Sequence, residues 1–317
     1  QKAACMKANR YSYTKHLTEW KGEWRVLAKN KAYLHCQTRR QAQDLWQKEL
    51  DAAGFFAQPP IETIDVDESL GRVAAGSVYA VQSAPHYNSA AMDGIAVRAA
   101  DTFGAQETAP LILEIKPNGT PFAAGYCYIV DTGDVMPPGT NAVIMIEDVQ
   151  RNGQAAEIIA AASPWQHVRI IGEDIVANEL IIPEHQAVSP VDIAALMAGG
   201  IETVEVLAKP RVGIIPTGDE IVATRQELKP GTILDINSHM LAAAISEWGG
   251  IAHRHAIVKD NPSALEQALL EELKKSDVVL INAGTSAGTE DYTFDVLAKL
   301  GRVLVHGVSI KPGKPVV

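Results

Sequence analysis

The chain has 317 residues, of which 47% are hydrophobic and 21% are charged, and its formal net charge is −10. This composition is ordinary for a globular protein of two or three domains with a sizeable core. No apolar run approaches the ~20 residues that span a bilayer, which argues against a membrane protein. The N-terminal stretch has no apolar signal-peptide core, and three scattered cysteines suit neither a disulfide framework nor a CxxC metal site. We therefore expect a cytoplasmic protein.

A basic segment begins the chain. Residues 1–50 hold 11 basic against 4 acidic residues, whereas the remaining residues hold 17 basic against 34 acidic ones. A basic patch can bind nucleic acid or an anionic surface. Residues 1–37 show no clear helix-turn-helix or zinc pattern, however, so a solvated basic extension without an assigned role is the favoured interpretation. Nucleic-acid binding by residues 1–37 is the alternative.

A helix is predicted at residues 38–54, directly after this segment. Thr38 is a suitable N-cap residue, apolar side chains such as Leu45 and Leu50 recur at helical spacing, and Gly54 closes the helix. Short alternating or β-branched runs between turn residues then predict strands. These runs are 62–66, 76–81, 94–97, 111–115, 126–130, 142–146, 157–160 and 168–171. Residues 84–178 are therefore predicted to form a compact, mostly β domain.

The pattern changes near residue 189. A short helix is predicted at 189–200, with Ser189 as N-cap and Pro190 at its first position. Strands are then predicted at 203–207, 211–215, 252–258, 277–282 and 302–310, and helices at 237–248, 262–276 and 292–299. Strands that alternate with helices of this length predict a parallel sheet covered by helices. Such sheets bind ligands beyond the carboxyl ends of their strands, where Thr217, Gly218, Asp219 and the 283–291 loop would lie.

Carboxylates near these strand ends form one candidate site. Asp219, Glu220 and Asp235 could hold Mg²⁺, which takes a few carboxylates together with waters and substrate phosphates. The alternative is structural: Asp235 caps helix 237–248 and Asp219 caps a turn. The residues alone leave both interpretations open.

Two loops form candidate anion sites. The glycine-rich loop AGTSAGTED (283–291) precedes a helix, so its backbone N–H groups could approach an anion, although it lacks the lysine of a P-loop. The stretch KPGKP (311–315) places two lysines around a rigid turn, where they could act as point charges. For both loops, an ordinary turn is the alternative. His253 and His255 share one face of a strand, and satisfied or surface histidines are the default interpretation there.

Five motifs, taken together, resemble one family: the molybdopterin molybdenumtransferases, which comprise the MoeA proteins and the gephyrin E domain. The motifs are PHYNSAAMDGIAVRAADT (85–102), VDTGDVMPPGTNAVIMIED (130–148), VRIIGEDI (168–175), RVGIIPTGDEIV (211–222) with ILDINSHML (233–241), and AGTSAGTEDY (283–292) with KPGKP (311–315). They fall in the order of the family, and the resemblance runs from about residue 38 to residue 317.

The resemblance implies a multidomain fold of α/β plus β type. Residues 209–317 would form the α/β parallel-sheet domain that binds the pterin nucleotide. Residues 84–178 would form a β-rich domain, inserted into a split extended domain made of 38–83 and 179–208. Family members are elongated homodimers, in which the α/β domain of one chain meets the inserted domain of the other. The resemblance also implies a C-terminal β-barrel domain after the KPGKP turn. Because a further strand would begin at the end of the chain, we expect the sequence to be truncated relative to a longer parent.

The resemblance also implies a reaction, the insertion of molybdate into adenylylated molybdopterin with Mg²⁺-dependent release of AMP. A molybdopterin adenylyltransferase would supply the adenylylated substrate. Catalytic positions carried over from the motifs are Asp93, Thr132, Asp174, Asp219 and Asp235, and the implied metal ligands are Glu173, Asp219, Glu220 and Asp235. The implied pterin-nucleotide and anion contacts are Thr217, Gly218, Gly284, Ser286, Asp291, Lys311, Gly313 and Lys314.

The chain departs from the family pattern at three places. The usual acid before the A-M-D-G motif is Asn88, the usual serine there is Ala90, and the usual T-G-A carries Asp134 in place of its alanine. The family loop S-G-G-V-S is NAGTS (282–286) here. Two alternatives to the transferase remain, namely a molybdopterin adenylyltransferase and a non-catalytic pterin- or molybdate-binding scaffold. Motifs 85–102 and 130–148 argue against the first, because the stand-alone adenylyltransferase lacks them.

Overall fold

The computed structural model describes residues 2–7, 36–57, 59–283, 292–311 and 316–317. Contacts divide the chain into two compact units, one made of Gln1–Pro60 with Ala208–Val317 and the other of Ile61–Leu207. The four-part division predicted from the sequence is finer than this and stays a prediction. Most of the basic segment, residues 8–35, lies outside the described residues.

The described residues contain five helices with bounds close to those predicted. They are α1 (Arg39–Ala52), α2 (Pro190–Ala198), α3 (Asn237–Glu247), α4 (Pro262–Glu272) and α5 (Tyr292–Leu300). Side-chain caps begin several of them: Thr38 and Ser189 form capping boxes with Gln41 and Asp192, and Asn261 accepts from two N–H groups at the start of α4. No helix in the described part of the chain is both long and apolar enough to cross a bilayer.

Eighteen strands occur among the described residues. They are β1 (Lys2–Lys7), β2 (Ile61–Asp65), β3 (Val78–Tyr79), β4 (Ser89–Ala90), β5 (Gly94–Val97), β6 (Leu111–Lys116), β7 (Tyr126–Val130), β8 (Ala142–Met145), β9 (Val149–Asn152), β10 (Ala155–Ile158), β11 (Val168–Arg169), β12 (Leu180–Ile182), β13 (Thr203–Leu207), β14 (Arg211–Thr217), β15 (Ile221–Val222), β16 (Ile233–Leu234), β17 (Ile251–Arg254) and β18 (Val278–Ala283).

A four-stranded sheet forms the centre of the first unit, in the order β1-β18-β14-β17. Strand β14 runs parallel to both neighbours, and β1 pairs antiparallel with the outer edge of β18. Successive residues of β14 face opposite sides of the sheet. Ile215 packs in a buried cluster with residues of α4 and α5, whereas Val212 and Ile214 pack against Ile245 of α3. The predicted parallel sheet covered by helices is therefore confirmed.

Pro216 lies near the carboxyl end of β14, between Ile215 and Thr217, which both pair with β18. Strand β17 pairs with β14 only as far as Arg254, and the chain returns to β14 at Val258. There the Val258 N–H donates to the carbonyl of Pro216 at 2.8 Å, and the Gly218 N–H donates to the carbonyl of Val258 at 3.1 Å. The His255 N–H still donates to the carbonyl of Ile214 at 2.8 Å, so only residues 256–257 leave the ladder before the chain rejoins it.

The second unit is built on a six-stranded sheet in the order β8-β5-β7-β6-β10-β9. All its neighbouring strands are antiparallel except β6 and β7, which run parallel. Its core includes the fully buried Ile95, Val97, Cys127 and Ile158. Short two-stranded pairs complete the unit, among them β4 with β11 and β2 with β13. The β-rich character predicted for residues 84–178 is confirmed.

One predicted strand is wrong. Residues 302–310, all of them described, form no strand, and only Val308 makes an isolated bridge, to Gln37. The edge of β18 that a further strand would need is occupied by β1, which sequence analysis did not predict. Other elements are shorter than predicted. Strands β3 and β11 have only two residues each, β17 ends at Arg254 and α4 ends at Glu272.

Candidate functional site

Strand β14 ends in the first part of the candidate site. Thr217 is buried, and the strand pairs with β18 as far as this residue. Gly218 follows with φ +149°, and a Cβ at this position would lie 2.9 Å from the Glu220 carboxylate. A side chain at position 218 would therefore be strained by the backbone conformation and would displace the flexible Glu220 carboxylate. Glycine lets the chain turn tightly at the end of the buried strand.

The carboxylate of Asp219 contacts a segment that the sequence analysis did not select. Its Oδ1 accepts the backbone N–H of Asp260 at 3.3 Å, and its backbone carbonyl accepts from the Lys259 ammonium at 3.3 Å. Both side chains, of Asp219 and Asp260, are on exposed residues. Two carboxylates and a lysine thus gather at the carboxyl end of the parallel sheet. The signal for Asp260 was its place just beyond the strand predicted at 252–258, but the sequence gives this position no other mark than its closeness to the helix predicted from residue 262.

Tyr292 joins this group from the start of α5. Its hydroxyl donates to Oδ1 of Asp260. Burial and the Asp260 carboxylate together raise the pKa of Tyr292 to about 12, against a smaller opposing effect of the neighbouring Thr217 hydroxyl. Thr217 Oγ1, although close enough for that effect, forms no hydrogen bond of ordinary geometry with a described residue. The phenol is therefore a neutral donor at physiological pH.

Asp235 lies at the start of α3, after the short strand β16. Its Oδ1 accepts the Ser238 N–H at 3.1 Å and its Oδ2 accepts the Ser238 hydroxyl. Both residues are buried. A guanidinium N–H of Arg254 also reaches the Ser238 hydroxyl, at 3.4 Å. Asp235 therefore accepts one backbone N–H and one side-chain hydroxyl at this helix end, and its role as a metal ligand stays a prediction.

Asp93 and Thr132 are brought together in the second unit. Asp93 Oδ1 accepts the Thr132 backbone N–H at 2.6 Å and the Thr132 hydroxyl at 2.7 Å. These two hydrogen bonds favour the charged carboxylate and hold the pKa of Asp93 below its usual value. Gly94, the next residue, is packed so tightly that a Cβ would lie 1.9 Å from the carbonyl oxygen of Ile144. The A-M-D-G motif thus places an ionised carboxylate directly before β5, and the first position of β5 accommodates only glycine.

A third motif lies beside the first two. Strand β4 pairs with β11, and Ser89 also bridges to Val135, so residues 89–93, 132–136 and 168–169 are neighbours. Arg169 at the end of β11 forms ion pairs with Glu173 at 3.7 Å and with Asp174 at 2.9 Å. All three side chains are about half exposed, so these pairs contribute little to stability. They hold the two acidic side chains of the GEDI motif beside the Arg169 guanidinium.

Three of the residues that depart from the family pattern, Asn88, Ala90 and Asp134, have structural explanations. The carboxamide oxygen of Asn88 accepts the Ile171 N–H at 2.9 Å, an acceptor role that needs no charge. Ala90 is fully buried, where an added hydroxyl would need a partner. Asp134 accepts the Asp131 N–H at 2.9 Å within a turn. Asn88 and Asp134 therefore accept backbone N–H groups that shape their loops, and Ala90 packs in the interior.

The predicted metal ligands do not form one cluster in the described residues. No group of three or more His, Cys, Asp or Glu there is arranged to hold a metal ion. Asp219, Glu220 and Asp235 belong to the first unit and Glu173 belongs to the second. His253 contacts the buried Glu272 at 3.0 Å, and His255 contacts the carbonyl of Ala256 at 2.7 Å, so both histidines have ordinary partners.

Several predicted contact residues lie outside the described residues. These are Gly284, Ser286, Asp291, Gly313 and Lys314. Lys311 is described and exposed. The predicted roles of this loop and turn therefore stay predictions.

Two family models match the chain. The model of the MoeA N-terminal region (domain I and II) matches residues 38–200. The model described as "Probable molybdopterin binding domain" matches residues 213–317. The border between them falls close to the point where the β-rich pattern gives way to the parallel sheet.

Curated relatives and solved structures are similar over most of the chain. A molybdopterin molybdenumtransferase of Nostoc is 33% identical over 268 residues, which is 82% of this chain and 61% of the relative. One from Haemophilus influenzae is 30% identical over 260 residues, or 80% of this chain and 64% of the relative. The crystal structure of a molybdopterin biosynthesis MoeA protein from Pyrococcus horikoshii has a TM-score of 0.76 at 33% identity, covering 88% of this chain and 71% of that one. The chain thus spans under two thirds of these two curated relatives.

Proposed function

Because this chain belongs to the MoeA family of molybdopterin biosynthesis proteins, we propose that it acts in molybdenum cofactor biosynthesis as a molybdopterin molybdenumtransferase. In this reaction molybdate enters the dithiolene of adenylylated molybdopterin and AMP is released. The protein would work in the cytoplasm as a homodimer, and a molybdopterin adenylyltransferase would supply its substrate.

The observation that carries this proposal is the unit formed by residues 61–207. A stand-alone adenylyltransferase needs only the parallel-sheet domain, whereas this chain also matches the MoeA N-terminal region from residue 38 to residue 200. Within that unit the acids of three separated motifs lie on neighbouring segments. This arrangement supports the transferase over the adenylyltransferase.

We assign the phosphoanhydride of the substrate to the carboxyl end of β14. The backbone turn at Gly218, the Lys259 ammonium and the two carboxylates Asp219 and Asp260 surround this point. Mg²⁺ usually takes one or two carboxylates plus waters and substrate phosphates, so Asp219 and Asp260 fit as its protein ligands. When bound, Mg²⁺ would neutralise charge on the phosphate oxygens. Glu220 lies close enough to Gly218 to shape the same turn.

We assign the ionised Asp93 and Thr132 to orienting the reacting end of the substrate. Molybdate is an anion and calls for donors, so carboxylates suit the metal and the pterin amines, whereas lysines and N–H groups suit the oxyanion. Lys311, Lys314 and the hydroxyl loop that contains Ser286 are the expected donors to molybdate and to the pterin phosphate. Asp174 and Glu173, paired with Arg169, would complete the acidic surroundings.

The test is the release of AMP from adenylylated molybdopterin in the presence of Mg²⁺, measured with and without molybdate. Molybdate-dependent release would establish the transferase. Tight binding of the pterin nucleotide without release, in this chain and in a longer parent alike, would favour a non-catalytic binding protein of the same fold. Asp93→Asn is the matched variant, because it keeps the hydrogen bonds from Thr132 while it removes the charge.

A further inference from the structure

We propose that Tyr292 is a positioning residue, whose hydroxyl holds the carboxylate of Asp260 beside Asp219 and leaves the second oxygen of Asp260 for a divalent cation. This inference rests on the proposed function of the β14 end. It adds a residue that the motifs did not select for any role. Its cation is a small, hard divalent ion such as Mg²⁺ or Mn²⁺.

Three chain segments converge on the Tyr292 hydroxyl. Tyr292 begins α5 and so follows the connection from β18, Asp260 lies in the connection from β17 to α4, and Thr217 ends β14 between those two strands. The hydroxyl donates to Asp260 Oδ1, and the buried Thr217 Oγ1 has no hydrogen-bond partner among the described residues. One side chain therefore links both loops that flank the end of the central strand.

The contact leaves part of Asp260 available. The tyrosine hydroxyl occupies Oδ1, and no described residue donates a hydrogen bond to Oδ2. The backbone N–H of Asp260 is held in turn by Asp219 Oδ1 at 3.3 Å. Asp260 is thus fixed from two directions while one of its oxygens remains open on an exposed residue. A carboxylate held in this way loses less side-chain entropy when a cation binds.

The geometry of the phenol suits positioning. Its hydroxyl donates to one oxygen of the Asp260 carboxylate, and this contact fixes the orientation of that carboxylate. The packing of α5 does not depend on the hydroxyl, because Val296 and Leu297 bury this helix in the core of the unit. Removing the oxygen alone should therefore leave the fold intact.

The test is a titration of the full 317-residue chain with Mn²⁺. The concentration of free Mn²⁺ is measured at each step by electron paramagnetic resonance. We expect Tyr292→Phe to weaken Mn²⁺ binding about tenfold, which is the scale of one hydrogen bond to a charged group. Tyr79→Phe is the matched control, because Tyr79 is an exposed tyrosine of the other unit. The control should bind Mn²⁺ as the wild type does, and the unfolding temperatures of both variants should stay near that of the wild type.

A double-mutant cycle separates positioning from a general effect on the site. If Tyr292 acts through Asp260, then Tyr292→Phe will add little further loss in an Asp260→Asn background. Equal Mn²⁺ affinity in wild type and Tyr292→Phe would overturn the inference, as would fully additive losses or a wild type that binds no Mn²⁺. Failure of AMP release, with the Mn²⁺ result intact, would instead count against the transferase alone.

Discussion

Asp93 and Thr132 lie 39 positions apart in the chain, and the carboxylate of one accepts both the backbone N–H and the hydroxyl of the other. Each residue closes a loop beside the strand pair β5–β7, in which Gly94 is opposite Val130. The strand register therefore brings the A-M-D-G and T-G-D motifs together. This contact therefore depends on the pairing of strands and cannot form within a local turn.

The lowered pKa of Asp93 predicts the behaviour of Thr132→Val. This variant keeps the backbone donor and loses the hydroxyl, so the pKa of Asp93 should rise towards its ordinary value of about 3.9. Carbon-13 NMR titration of the aspartate carboxyls measures this shift directly. Thr120→Val, in the same unit, is a control and should leave the pKa of Asp93 unchanged.

The same contact should make stability depend on pH in a defined direction. A depressed carboxyl pKa contributes stability above the pKa of the unfolded chain and loses it as the pH falls through the folded pKa. The difference in free energy of unfolding between wild type and Thr132→Val should therefore be complete at neutral pH and shrink below about pH 4. A difference that stayed constant down to strong acid would show that Asp93 is not the group involved.

Asp235 allows its capping role to be separated from its charge. Asparagine caps helices about as well as aspartate, so the free energy of unfolding of Asp235→Asn should lie within about 0.5 kcal/mol of the wild-type value. Asp235→Ala should lower the free energy of unfolding by about 1–2 kcal/mol. If the carboxylate also serves the metal, Asp235→Asn should slow AMP release about tenfold or more. Chemical denaturation and the AMP assay give the two numbers. Release at the wild-type rate would reduce Asp235 to a helix cap.

Gly94 should be intolerant of even one added carbon. A Cβ there would meet the backbone of Ile144 at 1.9 Å, and backbone between paired strands cannot move aside as a flexible side chain can. We expect Gly94→Ala to destabilise the protein by about 3 kcal/mol, at the upper end for overpacking. Gly76→Ala is the matched control, because no atom lies within 4 Å of its added Cβ. Equal denaturation midpoints for the two variants would contradict this account of the motif.

The cysteines should differ in reactivity. Burial raises the pKa of the Cys127 thiol to about 11, whereas Cys36 is partly exposed. Because the thiolate is the reactive form, native protein treated with iodoacetamide near neutral pH should be alkylated at Cys36 and spared at Cys127. Peptide mass spectrometry gives the extent at each position. Denaturation before labelling should make the two cysteines react alike.

Strong local patterns in the sequence were sufficient for much of the fold. Strands 94–97 and 126–130 and the start of α4 at Pro262 lie where the sequence predicts them, because alternation and caps act over a few residues. The strand predicted at 302–310 has suitable apolar residues but no free sheet edge, since β1 pairs with β18. Which segment pairs with a free sheet edge depends on the whole chain. A pattern within a few residues therefore cannot predict that β1 occupies the edge of β18.

The candidate site was predictable to the extent that motifs carried it. Asp219 was expected at a strand end and lies there, but its neighbour Asp260 was not selected. The sequence places Asp260 41 residues further on, in a stretch that reads as the approach to a helix. Only the parallel pairing of β14 with β17 and β18 shows that this approach, and Tyr292 after it, end at the same point. Spacing along the chain does not carry such contacts.

Pro216 has a mechanical consequence for this part of the sheet. The N–H and C=O of a strand residue point to the same side of the strand. The carbonyl of Pro216 faces Val258. The backbone nitrogen of Pro216, which has no hydrogen to donate, therefore faces the segment that leaves the ladder. The His255 N–H is the last donor of this stretch to β14 before Val258, so residues 256–257 can change path without the loss of a ladder hydrogen bond. The segment that delivers Lys259 and Asp260 is therefore uncoupled from the register of β17. Evolution can adjust the reach of these two charged groups without shifting the strand that precedes them.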